Sequence, residues 1–456
     1  MGGLYVSGEV IFFIANEARS SGDSSGKSKA AQSTVTKLLL VEGFFYGATI
    51  ALFDAASVVA MFLSTLGAST WLIGLASTVR QAGLHLPQVF VASWFQGRLS
   101  GLLVRFVSFQ WSATLFVVLA PLVAHFLGPG IALVCFAVGW LCFSFGDGAS
   151  FVPWSDTMAA TIGRRCGKFL GAYGVAESSG TMFAGVMLHL FIRMGVLDRS
   201  LGYVFVFGLG SLGLLMTVPV LRRVEQHGNK ALSKAYRRSS RADQNAKHGV
   251  GEVTDGEPVP SSTIANVIHN SSRRLKLFFG ARLLSMGIHL VAPFILLYGL
   301  NEIGLSDKVA GLLVWAEMAG ISLGSMLAGR LASRFGSRAV VKLSCFASAA
   351  SPLFALSSIA VPAGFCGWSP ISVMISMLCV GAFQSSSWVG CTGYVVERAQ
   401  EKDRPMIIGM LNLLALPFLC LSPVGGLIIK HVGYVPVFVV ATVLGSGSAM
   451  LALRID

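Results

Sequence analysis

The chain has 456 residues, 54% of them hydrophobic and 12% charged, with a mean hydropathy of +0.72. A soluble protein of this length carries about a quarter of its residues as charges, so these proportions exclude a water-soluble fold and leave a multi-spanning membrane protein. The net charge of +13 would suit nucleic acid, but the cations lie mostly between apolar runs, where they report orientation in a bilayer.

Residues 1–36 read as a disordered tail. Their apolar run "LYVSGEVIFFIAN" lacks preceding cations, is broken by Glu9 and is too short to span. Twelve apolar runs follow, near 38–64, 71–95, 104–126, 130–152, 169–192, 201–221, 275–299, 309–330, 339–361, 370–394, 406–428 and 433–453. A polar, cation-rich break at 223–274 divides them six plus six. The expected organisation is a tail (1–36), a first six-helix bundle (37–222), a linker (223–274) and a second bundle (275–456). The eight cysteines fall mostly inside apolar runs with no C-x-x-C or C-x-x-H spacing, so neither a disulfide framework nor a metal site is expected. There is no G-x-x-x-x-G-K-[ST] for a nucleotide engine, and no cofactor is expected.

With the N-terminus inside, 28 of the 34 Lys and Arg fall on the inner side. The outer loops hold only Arg193, Arg199, Lys308 and Lys430. The positive-inside rule then places both termini in the cytoplasm of a multi-pass cell-membrane protein. "GRLASRFGSRAVVKL" (329–343), with four cations and no acid, becomes an inner loop between spans eight and nine.

The halves repeat. Gly67, Ser69, Gly74 and Leu75 match Gly304, Ser306, Gly311 and Leu312 at an offset of 237. Ser69 and Ser306 are placed to cap the helices that follow. Gly171 matches Gly409, and "GRL" recurs at 97–99 and 329–331. Gly320, Gly324 and Ala328 give small-residue spacing in span eight, suited to close helix approach or to gating.

A parallel six-helix repeat with a central cytoplasmic break resembles the major facilitator superfamily. That family has a loop G-x-x-x-D-R-x-G-R-[RK] between spans two and three, echoed between spans eight and nine. Gly329, Arg334, Gly336 and Arg338 fit the echo, while Ser333 and Ser337 depart from it. The resemblance implies an all-α membrane protein of twelve transmembrane helices in two pseudo-symmetric six-helix bundles. It also implies a central cavity lined by spans one, four, seven and ten, and a gate at the cytoplasmic loop. A chain that carries both bundles is expected to work as a monomer.

An ionisable residue deep in a span is costly and generally has a partner or a function. The candidates for substrate binding or proton coupling are Asp54, Arg80, Asp147, Glu177, Arg282, His289 and Glu317, with Gln384 and Asn412 as uncharged polar groups. Asp54, Asp147, Arg282, His289 and Gln384 fall on spans that the resemblance makes cavity-lining. Acids outnumber bases in this set, so protons are candidate partners. Asp54 is the leading functional residue, and the structural alternative is that it neutralises Arg80. Arg80 and Glu317 occupy equivalent repeat positions with opposite charge, which makes the path asymmetric. Glu42 reads as interfacial.

"GLGSLG" (208–213) matches a dinucleotide fingerprint, but it lies inside span six and reads as helix packing. The resulting expectation is a secondary transporter of a small solute, coupled to protons and working by alternating access. Two alternatives remain at this stage. An intramembrane lipid enzyme would be built near Asp147, Ser155 and Asp156. The other is a transporter-like receptor.

Overall fold

The computed structural model describes residues 26–94, 101–162, 166–198, 201–246, 273–360, 368–398, 417–418 and 420–455. Every regular element among them is helical, as a bilayer requires, because a helix satisfies its backbone groups within itself. The first half comprises α1 (Gly26–Leu52), α2 (Val58–Thr65), α3 (Thr70–Trp94), α4 (Leu102–Leu127), α5 (Pro129–Ile162), α6 (Cys166–Arg193) and α7 (Gly202–Ala246). The second comprises α8 (Arg273–Ser285), α9 (Ile295–Asn301), α10 (Asp307–Phe335), α11 (Ser337–Ala360), α12 (Trp368–Arg398), α13 (Leu421–Val432) and α14 (Tyr434–Leu453). Helix α1 begins inside the stretch read as tail, and α7 runs on into the stretch read as linker.

Ten helical segments among the described residues are long and apolar enough to cross a membrane. Two of the twelve expected spans are not among them. Span two is the 25-residue helix α3, whose Arg80, Gln81, His85 and Gln88 dilute its apolarity. Span eleven is described as a helix only over the 12 residues of α13, and Asn412 lies outside the described residues.

Two spans are interrupted, which the apolar runs did not reveal. Span one breaks at 53–57, between α1 and α2. Span seven breaks between α8 and α9, where two short 3-10 turns, Met286–Leu290 and Ala292–Phe294, replace the α-helix. The interruptions sit at matching depths in the two halves.

The repeat holds at the level of backbone conformation. Gly67 and Gly304 both turn with φ +72°, and Gly195 and Gly433 form a second left-handed pair, at +70° and +99°. Ser69 and Ser306 stand at helix starts as expected, but their hydroxyls contribute little. The Ser69 hydroxyl lies 3.5 Å from the Leu72 amide, and that of Ser306 makes no capping bond. The helices start instead on the backbone carbonyls, with Ile73 N–H donating to Ser69 O and Val309 N–H to Ser306 O.

Within the first half, α1 packs on α6 and α7, and α4 packs on α5 and α7. "GLGSLG" is helix packing: the Thr49 hydroxyl donates to Gly210 O at 3.0 Å. Phe53 at the break stacks on Phe143 and Phe207, with ring centroids 5.0 and 5.5 Å away. In the second half α10 lies against α12. A Cβ on Gly320 would sit 2.1 Å from Leu378 O, and one on Gly381 would sit 2.1 Å from Glu317 O. The small-residue row of span eight therefore packs two helices of one half together. Side chains such as Phe116, Val134, Phe205 and Val443 remain exposed, as a lipid-facing surface demands.

The cationic stretch 329–343 is hardly a loop. Helix α10 runs to Phe335, α11 starts at Ser337, and Gly336 alone turns the chain with φ +77°. Arg330 and Arg334 ride on the end of one helix and Arg338 on the start of the next, all exposed. A Cβ on Gly329 would meet nothing, so close packing does not require that glycine.

Candidate functional site

The first cluster forms around Asp147. Arg80 Nη2 donates to its Oδ2 at 2.6 Å in an ion pair. Tyr46 Oη and Gln110 Nε2 donate to its Oδ1 at 2.9 and 3.0 Å. Spans one, two and three thus converge on one carboxylate of span four. The Arg80 guanidinium also lies 5.1 Å from the Phe143 ring centroid, a cation–π contact. A buried carboxylate with three donors and a counter-charge is fully satisfied. The structural alternative, that Asp54 neutralises Arg80, gives way: Asp147 is the paired acid.

Asp54 sits in the break of span one. Its Oδ2 accepts the amides of Ala56 and Ser57 at 2.9 and 2.8 Å and the Ser57 hydroxyl at 2.8 Å. A break strands amide groups that water cannot reach, and this carboxylate satisfies two of them and starts α2.

The second bundle repeats the first cluster with its charges changed. Gln384 Nε2 donates to Glu317 Oε1 at 3.2 Å. These residues are 67 apart, as Arg80 and Asp147 are. An Arg–Asp pair in one half is matched by a Gln–Glu pair in the other. Glu317 is fully buried, and its Oε2 has no hydrogen-bond partner among the described residues. The charged group that acts on it from the opposite half is Asp54, with Ser57 beside it.

His289 lies in the break of span seven, its ring edge-on to Phe383 at 6.2 Å. Its carbonyl, released by the break, accepts the Ser422 hydroxyl at 2.7 Å. The Arg282 guanidinium, one turn before the break, hydrogen-bonds the Ser387 hydroxyl of span ten. Glu177 is partly buried in α6 and packs its backbone against Gly47. Glu42, read as interfacial, is buried. Sequence reasoning also missed Tyr46, Gln110, Ser57 and Ser422. Gln110, a lone amide in an apolar run, was the most legible of these.

The two halves meet along two seams, α3 with α13 and α6 with α10. In the first, the Thr70 hydroxyl donates to Gly426 O at 2.6 Å. A Cβ on Gly74 would fall 2.4 Å from Ser422 O, and one on Gly426 would fall 2.3 Å from Thr70 O. In the second, the Ser322 hydroxyl donates to Ser178 O at 3.1 Å. The α3–α13 seam closes the halves at the end away from the chain termini. The break of span seven abuts this seam, since the Ser422 whose carbonyl faces Gly74 also donates its hydroxyl to His289 O.

Residues 277–456 match the family model of the Major Facilitator Superfamily. No curated protein sequence matches the chain. Among solved structures, the chain is similar to a partially occluded, inward-open form of the xylose transporter XylE from E. coli, with a TM-score of 0.63 at 14% identity over 93% of this chain and 99% of that one. It is similar to the nucleoside transporter NupG, with a TM-score of 0.57 at 13% identity over 92% and 98%. It is also similar to a bacterial homologue of the iron transporter ferroportin in an inward-facing state, at 0.61, 12%, 92% and 98%. At these identities the likeness is one of fold.

Proposed function

We propose that this chain belongs to the major facilitator superfamily, whose model matches its second half, and is a secondary transporter that moves a small polar solute by alternating access and couples its movement to protons. The observation that carries the reading is the pair of interrupted helices. Spans one and seven both lose their α-helix midway, at Asp54 and at His289. Interrupted spans expose backbone polar groups and ionisable side chains at mid-membrane, where carriers bind solutes and ions. Arg80 and Asp147 neutralise each other, leaving Asp54, Glu317, Gln384, Arg282 and His289 as mixed donors and acceptors for a polar solute.

The three comparison structures are a nucleoside transporter, a xylose transporter and a bacterial homologue of an iron transporter, which supports carriage of a solute rather than chemistry upon one. Asp147, the anchor of the lipid-enzyme alternative, has Arg, Tyr and Gln as partners and is not arranged as a base or nucleophile. The Lys and Arg distribution supports cytoplasmic termini. The protein is proposed to act as a monomer, since one chain holds both bundles.

The test is a thermal-shift screen of the purified protein against small polar metabolites, followed by uptake into proteoliposomes with an imposed pH gradient. Saturable uptake that the gradient drives uphill is the expected result. Binding without flux identifies a receptor and overturns the transport reading, as does chemical turnover of the bound compound. Cysteines introduced at 230–250, on a background lacking native cysteines, are expected to resist external labelling of intact cells.

A further inference from the structure

We propose that Glu317 is the residue that carries the coupled proton, and that Asp54 stays ionised as the fixed cap of the broken span. The inference rests on the transport reading above and names the group within it.

The two acids face each other across the halves but are held differently. Asp54 receives three donors on one oxygen, the environment of a carboxylate. Glu317 receives one amide donor, at 3.2 Å, and its second oxygen is buried with no donor in hydrogen-bond geometry among the described residues; the Ser57 hydroxyl also acts on Glu317 but is given to Asp54. Its repeat counterpart Arg80 has an opposite charge across the bundle, whereas Glu317 has the neutral Gln384. An ionised Glu317 would be a buried anion with a vacant acceptor, facing another anion. A protonated Glu317 removes that repulsion and keeps the Gln384 bond. Closing the halves therefore requires the proton, and opening the cavity to water lets Glu317 release it.

Among the described residues, the other helices packed against α10 place no further charge that acts on Glu317. Span five carries Glu177 and His189, span ten carries Cys379 beside Gln384, and the second part of span seven carries Tyr298. Arg338 and Lys342 of span nine sit near its helix start, at the far end of α10. The acid that acts on Glu317 is Asp54, and behind Asp54 stands Arg80, already paired.

The test is infrared spectroscopy of the full chain in lipid nanodiscs at neutral pH, reading the C=O stretch of a protonated carboxylic acid. Glu317→Gln is expected to lose part of that band, and Asp54→Asn to keep it. The reverse result, or no loss in Glu317→Gln, overturns the proposal. Labelling with carbon-13 glutamate or aspartate in the unmutated protein covers the case in which a variant fails to fold. The acid band must shift with the glutamate label, and a shift with aspartate alone overturns the assignment.

In proteoliposomes Glu317→Gln is expected to lose pH-driven accumulation and to retain counterflow exchange. Intact pH-driven accumulation by this variant would sink the inference while leaving the transport reading standing. Absence of any flux in the unmutated protein would sink the transport reading, and the infrared result would then decide where the proton sits.

Discussion

Glu317 occupies in the second half the position that Arg80 occupies in the first, 237 residues earlier, and each bonds a side chain 67 residues further on. The pairing of the two positions has been kept across the repeat while its charges have changed, an acid standing at the Arg position and a neutral amide at the Asp position. The first half therefore holds a closed ion pair and the second a carboxyl without a counter-ion, so the two bundles should respond differently to loss of a partner.

In the first half, Asp147→Asn is expected to leave Arg80 buried and uncompensated. Breaking one side of a buried pair costs about 3–5 kcal/mol. Arg80→Gln in the same chain should recover most of the loss, because it removes the stranded charge. Thermal denaturation in detergent of both singles and the double checks this. Additive losses in the double variant would mean that the pair is not the source.

Asp54 should tolerate loss of charge better than loss of its acceptor. Asn keeps an oxygen for the Ala56 and Ser57 amides, whereas Ala strands them. Asp54→Ala is expected to cost about 1–2 kcal/mol, and Asp54→Asn clearly less. Equal destabilisation of the two variants, measured as melting temperature, would show that the cap is not what the carboxyl provides.

The seam between α3 and α13 leaves no room for a side chain. Gly74→Val and Gly426→Val each force a side chain against facing backbone, at Ser422 and Thr70 respectively. The halves should then be held apart at the end away from the termini, and transport should slow. Faster alkylation of a cysteine introduced at Ser69 would report the opening. Unchanged labelling in both variants would argue that this seam does not gate.

Arg334 and Arg338 flank the one-residue turn at Gly336 and are exposed at a helix end, far from Asp54 and Glu317 along α10. Arg334 also lies in the last turn of its helix, where a cation complements the dipole. Changing both to Gln is expected to lower the transport rate with equilibrium affinity nearly unchanged. A large loss of affinity in correctly inserted protein would place them nearer the solute than the fold does.

The sequence by itself determined that this protein lives in a bilayer, that its fold is all helical, and that its halves repeat. Those properties follow from bulk apolarity and from spacing. Apolar runs need no knowledge of what lies next to them, and Gly67 and Gly304 mark the same turn because a left-handed residue strongly favours glycine. The same reasoning could name the deep ionisable residues, since each stands out against an apolar background. It could not say which would meet. Arg80 could have reached Asp54 or Asp147, and only the way spans one to four converge decided for Asp147, with Tyr46 and Gln110 completing its shell. The breaks in spans one and seven were also tertiary decisions. An apolar run reads as a continuous helix until something else satisfies the backbone groups that a break releases. Here those groups are satisfied by Asp54 from within its own span and by Ser422 from a helix 133 residues away.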